Sequence, residues 1–285
     1  MQAKRIAAAI TVLTIVITMA AAIARSQLPA IGAGALLYPA RQVSMRAAPP
    51  GCIEKTFEGV DVRLAGWVCR SADLSPKPAI VYLHGIGDNR DTSTGVIDRF
   101  LRRGFDVVVY DSRGHGRSEG EGCTYGFFEK QDLRRVLVQA GIDRTIVIGH
   151  SLGAAVALQA AAIDPRIVGV VAVSTFADLR SIATERAPFV FTPALIDAAF
   201  ARAERDARFV VDDASPLKAA PKISAPVFII HGALDEGTRT AHSERVYAAL
   251  RQPKQLLIVP DAGHNDVLRS SEVWRQIEDW IDTLI

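Results

Sequence analysis

The chain has 285 residues, of which 49% are hydrophobic and 22% charged, a balance typical of a globular protein with a sizeable core. Its formal net charge is +2, and the 33 Lys and Arg residues are interspersed with 31 Asp and Glu residues. This even distribution excludes the basic surface of a nucleic-acid-binding protein, so we expect no nucleic-acid partner.

The first 25 residues have the pattern of an export or anchoring segment. Two basic residues precede the uncharged, apolar stretch at 6–24, and Arg25 closes it. Ala22 and Ala24 would suit cleavage by a signal peptidase, whereas the length approaches the ~20 residues that span a bilayer, so a signal peptide and a membrane anchor both stay open. The basic residues lie on the N-terminal side, so we expect the remaining chain outside the cytoplasm, either membrane-anchored or secreted or periplasmic.

Residues 26–50 are expected to form an extended linker. The stretch contains four prolines and two glycines among its apolar residues. Proline and glycine disfavour regular helix, so the segment suits a connection from the membrane to a folded domain that begins at residue 51.

Two alternating apolar patterns follow, at 53–57 and 62–67, around the dipeptide Glu58-Gly59. They predict an antiparallel hairpin. Such a hairpin brings position 52 opposite roughly 67–69. In an oxidising compartment we therefore expect Cys52 and Cys69 to form a disulfide, with Cys123 left as a thiol. The alternative is that all three are small buried hydrophobic residues, because a slip of one residue in register turns one cysteine to the other face.

The remaining sequence alternates between predicted strands and helices. Continuous apolar runs, typical of parallel strands buried on both faces, occur at 78–83, 105–110, 145–148, 167–173, 226–230 and 255–259. Helical patterns lie between most of them, at 97–103, 130–140, 152–162, 242–251 and 272–284. This alternation predicts a single α/β domain at 51–285, with a mostly parallel sheet and helices on both faces.

The interval at about 176–222 is too long for a simple crossover between two strands. It contains helical patterns at 179–185 and 193–205, punctuated by prolines. We interpret it as a small helical cap over the carboxyl edge of the sheet, where ligands bind in such folds. Its apolar residues could line a pocket or simply pack the cap onto the body.

The most specific motif is Gly149-His150-Ser151-Leu152-Gly153, which follows the apolar run at 145–148 and opens a helical pattern rich in small residues. A nucleophilic serine is held out at a sharp turn between strand and helix, where a Cβ two positions before or after it would clash. The pattern by itself also occurs by chance in glycine-rich loops. Its strand-turn-helix context favours a nucleophile elbow with Ser151 as the nucleophile.

With four further motifs, the chain resembles the α/β-hydrolase family from about residue 57 to residue 285. These motifs are Leu83-His84-Gly85-Ile86-Gly87, the turn at 110–118, His231-Gly232-Ala-Leu-Asp235, and Gly263-His264. The match is most similar to the branch of serine aminopeptidase-like and monoacylglycerol-lipase-like hydrolases. That branch includes esterases, lipases, thioesterases, amidases and peptidases, so the resemblance says little about the substrate.

A serine hydroxyl needs a base, and the base needs an acid that fixes its tautomer. Among the six histidines, His264 is the candidate base because it lies in a loop before the last helix, whereas the others lie in strand ends, glycine turns or a helix. The resemblance places the acid at Asp235, in the order Ser, Asp, His. Glu236 is adjacent and could be mistaken for it. We expect Asp111 and Arg113 to interact and so to stabilise the turn in which both lie.

The resemblance also implies an oxyanion hole made of two backbone N–H groups. One belongs to Leu152, directly after the nucleophile, and the other to Ile86, in the turn after His84-Gly85. No metal-ligand spacing, phosphate loop or dinucleotide motif is present in the sequence, so we expect no metal and no cofactor.

The sequence thus predicts a serine hydrolase that cleaves an ester or a related acyl bond of a small-molecule substrate through an acyl-enzyme intermediate. A peptidase or amidase of the same fold is the first alternative. A catalytically silent binding protein is the second, although the complete set of Ser151, Asp235 and His264 argues against it. Nothing in the sequence indicates the oligomeric state.

Overall fold

The computed structural model describes residues 2–73 and 75–285, and in the first helix it describes the side chains at 10, 11, 13–19, 23 and from 25 onward. The strands are β1 (Cys52–Glu58), β2 (Arg63–Cys69), β3 (Ala79–Leu83), β4 (Val107–Tyr110), β5 (Thr145–His150), β6 (Ile167–Val173), β7 (Val227–Gly232) and β8 (Lys254–Val259). In the described residues they form one sheet with the spatial order β1-β2-β4-β3-β5-β6-β7-β8.

The helices are α1 (Gln2–Leu37), α2 (Thr94–Arg102), α3 (Glu129–Ala140), α4 (Leu152–Ala161), α5 (Leu179–Arg186), α6 (Pro193–Ala207), α7 (Pro216–Ala219), α8 (Thr240–Ala249) and α9 (Ser271–Asp282). The strands from β3 to β8 pair in parallel, which confirms the predicted fold class. Their carboxyl ends consequently lie along one edge of the sheet.

The alternation of side chains along each strand divides the core into two layers. Val81 and Leu83 point to the face that α3, α4 and α8 cover. Ile80 and Tyr82 point to the opposite face, which α2 and α9 cover. Because both faces are buried, the strands read as continuous apolar runs rather than as alternating patterns.

The hairpin of β1 and β2 is antiparallel and lies at one end of the sheet. Cys52 pairs with Cys69 in the strand register, and their Sγ atoms are bonded to each other. Cys123 is a buried free thiol, and burial raises its pKa well above the ordinary value. This thiol therefore stays protonated at neutral pH.

Three helices, α5, α6 and α7, lie between β6 and β7, in the interval where the sequence predicts a cap. Buried residues of α5 and α6, among them Leu179 and Phe200, share one cluster with Ala33 and Leu37 of α1. The N-terminal helix thus packs against the cap, a contact that the sequence does not predict.

The expectation of an extended linker over the whole of 26–50 is wrong for its first half, because α1 continues to Leu37. Pro29 lies inside the helix, where it lacks the N–H for one backbone bond. Burial of Ala33 and Leu37 against the body offsets this cost. Within this segment, residues 38–50 lie outside helix and strand, and Arg41 holds them to the body by donating hydrogen bonds to the carbonyl groups of Gly114 and Ser118.

No helix in the described part of the chain is both long enough and apolar enough to cross a membrane. The expected export segment at 1–25 falls partly outside the described residues. Met1 is not described, and neither are the side chains of several other residues in this segment.

Candidate active site

Ser151 lies in the turn between β5 and α4, with φ 52° and ψ −112°. A positive φ is unfavourable for a residue with a Cβ and costs on the order of 1–3 kcal/mol. A Cβ at Gly149 would lie 2.3 Å from the carbonyl oxygen of Gly153, and a Cβ at Gly153 would lie 2.2 Å from that of Leu83. Both glycines are therefore needed for the strand, the turn and the helix to pack this closely around the serine.

His264 lies between Ser151 and Asp235. Its Nδ1 atom is 2.5 Å from Oδ2 of Asp235, and its Nε2 atom is 2.9 Å from Oγ of Ser151. An ionised carboxylate only accepts hydrogen bonds, so the imidazole proton is on Nδ1. Nε2 is then free to accept the hydrogen bond of the Ser151 hydroxyl. The structure brings the three side chains together from the loops after β5, β7 and β8.

The Asp235 side chain is fully buried. Burial alone would raise the pKa of its carboxyl, but hydrogen bonds from His231, His264 and the backbone N–H of Thr238 hold that pKa well below the ordinary value. The carboxylate is consequently ionised at neutral pH. It can fix the tautomer of His264 and stabilise a positive charge on that ring.

His231 is a second histidine on the same carboxylate, and it was not among the site residues predicted from the sequence. Its Nε2 atom lies 2.6 Å from the carbonyl oxygen of Thr238 and 3.1 Å from Oδ2 of Asp235. Its Nδ1 atom accepts a hydrogen bond from the Ser243 hydroxyl at 2.6 Å. A neutral ring with its proton on Nε2 satisfies all three contacts. His231 therefore braces the loop that carries Asp235.

Arg186, at the end of α5 in the cap, reaches the same loop. Its Nε atom donates to the carbonyl oxygen of Gly237 at 2.8 Å, and its Nη2 atom donates to Oγ1 of Thr238 at 2.6 Å. Thr238 in turn donates its backbone N–H to Asp235 at 2.7 Å. A chain of hydrogen bonds thus connects the cap to the carboxylate.

Two further side chains donate hydrogen bonds to the backbone carbonyl group of His264. His150 donates from Nε2 to the carbonyl oxygen of His264 at 3.0 Å, and the Ser174 hydroxyl donates to the same oxygen at 3.3 Å. Burial lowers the pKa of His150, so this ring is neutral. The position of the His264 ring is therefore defined at its backbone as well as at both ring nitrogens.

The two backbone groups proposed for an oxyanion hole lie beside Ser151. Leu152 is the residue after it, and a Cβ built at Gly85 would lie 3.6 Å from Cβ of Ser151, which places the Gly85-Ile86 turn next to the serine. His84 donates from Nδ1 to the carbonyl oxygen of Gly85 at 2.7 Å and so orients this turn. Within residues 2–73 and 75–285, neither Ile86 N–H nor Leu152 N–H donates to a protein acceptor.

Glu236 and Asp111, the two other carboxylates weighed from the sequence, do not contact His264. Glu236 is exposed. Asp111 accepts the backbone N–H of Arg117 in its own turn, but its ion pair is with the buried guanidinium of Arg90 at 2.6 Å. The expectation that Asp111 acts with Arg113 is therefore wrong, because Arg113 pairs with Asp132 of α3.

A cavity of about 390 Å³ lies beneath the cap, and Ile86 is one of its lining residues. Its other walls come from α1, α5, α6 and Tyr125, and the lining is mostly apolar, although it includes Arg186. The described residues include no group of three His, Cys, Asp and Glu side chains that could hold a metal ion.

Comparison with known proteins agrees with this architecture. The family model of the alpha/beta hydrolase fold matches residues 78–225, slightly more than half of the chain. The protein YfhR of Escherichia coli (strain K12) is 28% identical over 231 residues, which are 77% of this chain and 76% of YfhR.

Among solved structures, the Pyrococcus furiosus esterase Pf2001 superimposes with a TM-score of 0.68 at 22% identity, over 86% of this chain and 97% of the esterase. The Pyrococcus horikoshii acylaminoacyl peptidase superimposes with a TM-score of 0.60 at 15% identity, over 82% of this chain and 41% of the peptidase. The matched family and the shared architecture agree, and the chain belongs to the α/β-hydrolase fold family.

Proposed function

We propose that this protein is a serine hydrolase that cleaves an ester or a related acyl bond through an acyl-enzyme intermediate. The observation that carries the proposal is the position of His264, which contacts Ser151 Oγ with one ring nitrogen and the ionised Asp235 with the other. This arrangement can convert a weakly nucleophilic hydroxyl into an effective nucleophile at neutral pH.

In the first half of the reaction, Ser151 Oγ attacks the acyl carbonyl carbon while its proton moves to Nε2 of His264. The carbonyl oxygen becomes an oxyanion, for which the N–H groups of Ile86 and Leu152 are the available donors. Asp235 stabilises the imidazolium that forms. The tetrahedral intermediate then expels the alcohol, which takes the proton from Nε2, and the acyl group stays on Oγ.

In the second half, a water molecule takes the place of the alcohol. His264 accepts a proton from the water as it attacks the acyl-enzyme, and a second oxyanion forms in the same position. Its collapse breaks the bond to Oγ, returns the proton to Ser151 and releases the carboxylic acid.

The experiment combines labelling with a substrate panel. We expect a fluorophosphonate probe to label the wild-type protein and not Ser151→Ala, and Ser93→Ala serves as a control in which another buried serine is replaced. A series of p-nitrophenyl esters and aminoacyl anilides then compares ester with amide turnover. Faster turnover of the anilides would favour a peptidase or amidase. Absence of both labelling and turnover would indicate that the protein is a catalytically silent binding protein with this fold.

We also propose that residues 1–25 direct the domain out of the cytoplasm. The basic and then apolar pattern of the segment supports this, as does the disulfide between Cys52 and Cys69, since such bonds persist in oxidising compartments. An alkaline phosphatase fusion after residue 50 tests it, because the fusion is active only outside the cytoplasm. An inactive fusion would contradict export.

A further inference from the structure

One wall of the cavity beneath the cap comes from α1, which precedes the domain expected at 51–285. Ile31, Gly32, Ala35 and Leu36 line it, and all four belong to α1. They lie within residues 31–37, about two turns at the end of that helix. The opposite walls come from α5 and α6 of the cap. The N-terminal helix therefore closes one side of the cavity.

The end of α1 is tightly bound to the body. The backbone N–H of Cys123 donates to the carbonyl oxygen of Leu37 at 2.8 Å, and the Tyr125 hydroxyl donates to that of Leu36 at 2.8 Å. A Cβ at Gly32 would lie 2.8 Å from the Phe191 ring and 2.9 Å from Cβ of Ala199, so the helix approaches the cap at contact distance. The wall is thus part of the folded domain.

Most polar side-chain atoms of the lining already have partners in the protein. The Tyr125 hydroxyl donates to Leu36, and Nε and Nη2 of Arg186 donate to Gly237 and Thr238. A polar group deep in the cavity would lose its hydrogen bonds to water without replacement, whereas an aliphatic chain would gain from burial. The cavity is therefore suited to a hydrocarbon chain.

The location of the cavity places a bound hydrocarbon chain near the ester group that reacts. Ile86 lines the cavity, and its backbone N–H is one of the two free donors beside Ser151. An ester whose carbonyl oxygen meets that N–H would consequently have its acyl carbon close to a residue that lines the cavity.

We propose that α1 forms one wall of an acyl-chain pocket, so that residues 31–36 determine the length of the aliphatic acyl chain that the enzyme accepts. This inference rests on the proposed serine hydrolase function. It also assigns the substrate class as esters of lipophilic carboxylic acids.

The experiment replaces Ala35 by a larger residue that fills the cavity from the α1 side. Ala30→Phe is the matched control, because Ala30 is an exposed alanine of the same helix that does not line the cavity. Measured quantities are kcat/KM for p-nitrophenyl acetate and p-nitrophenyl decanoate. We expect Ala35→Phe to lower the decanoate-to-acetate ratio at least tenfold, since each displaced methylene costs about fourfold. The ratio for Ala30→Phe should stay as in the wild type.

Ala35→Leu is a smaller change that keeps the test valid should the phenylalanine variant fail to fold, and it should give an intermediate ratio. An unchanged ratio in the folded Ala35 variants, or an equal decrease in Ala30→Phe, would overturn the proposal.

Binding separates this proposal from the hydrolase function. Calorimetry with methyl decanoate on Ser151→Ala requires no turnover, and adding Ala35→Phe to that variant should weaken binding at least tenfold. Tight binding without hydrolysis by the wild type would contradict the hydrolase function alone. Ester hydrolysis with no effect of Ala35 on decanoate would contradict the acyl-chain pocket alone.

Discussion

Nε2 of His231 lies 3.1 Å from Oδ2 of Asp235, the same oxygen that accepts the hydrogen bond of His264. One carboxylate oxygen therefore serves two histidines, one buried in the body and one facing Ser151. Charge-assisted hydrogen bonds of this kind are stronger than neutral ones. The carboxylate is held in one orientation by contacts on both sides, so the ring of His264 has a fixed partner.

Replacement of this carboxylate gives the first prediction. Asp235→Asn should lower kcat by about 10²–10⁴-fold, because an amide can place its NH₂ toward His264 and cannot balance the charge of an imidazolium. Glu236→Gln should change kcat less than twofold, since Glu236 is exposed. Steady-state kinetics on one p-nitrophenyl ester measures both. The reverse order of effects would move the acid role to Glu236.

The connection between cap and carboxylate gives the second prediction. Arg186→Met removes the hydrogen bonds to Gly237 and Thr238, so the loop that holds Asp235 loses two contacts. We expect kcat to fall about tenfold, roughly what the loss of one charged hydrogen bond costs. Arg202→Met, which removes an ion pair with Asp206 elsewhere on the cap, should leave kcat unchanged. Equal effects of the two variants would show that the cap is merely destabilised.

The third prediction concerns the disulfide. Ellman titration of the denatured, non-reduced protein should count one thiol, that of Cys123, and three thiols would rule out the bond. Cys52 and Cys69 are 17 residues apart, so loss of the bond should lower the free energy of unfolding by about 3 kcal/mol on the chain-entropy model. Denaturant unfolding of Cys52→Ser/Cys69→Ser against the wild type measures this, with Cys123→Ser as the comparison.

Acid stability gives the fourth prediction, through His115. Burial, and to a smaller extent the neighbouring His84, lowers the pKa of His115 to about 4, whereas an unfolded histidine titrates at about 6.5. Between these values the unfolded chain binds the proton and the folded chain does not. The free energy of unfolding should therefore decrease as pH falls from about 6.5 to about 4, by on the order of 3 kcal/mol over the window.

The matched variant for this test is His115→Asn, whose side-chain NH₂ can replace the Nδ1 donor to the carbonyl oxygen of Arg113. Denaturant titrations at pH 7.5, 6, 5 and 4 should give a shallower pH dependence for the variant. Parallel curves for the two proteins would show that His115 is not the titrating group.

Local sequence determined most of the secondary structure. A strand that is buried on both faces needs apolar residues at successive positions, and runs such as 145–148 and 226–230 meet this requirement. The strands therefore appear within a few residues of the expected bounds. The turn at Ser151 was likewise readable, because Gly149 and Gly153 are the residues that such close packing requires. The order of Ser151, Asp235 and His264 at the carboxyl ends of three strands follows from the same parallel topology.

The tertiary structure decided which side chains meet across distant segments. The two hydrogen bonds from Arg186 to the loop after β7 span about fifty residues of sequence, and no local pattern encodes such contacts. The helical state of residues 26–37 is a second case, since Pro29 and the two glycines favour an extended chain locally. Packing of Ala33 and Leu37 against the body overrides that preference, because burial of apolar surface outweighs intrinsic propensity.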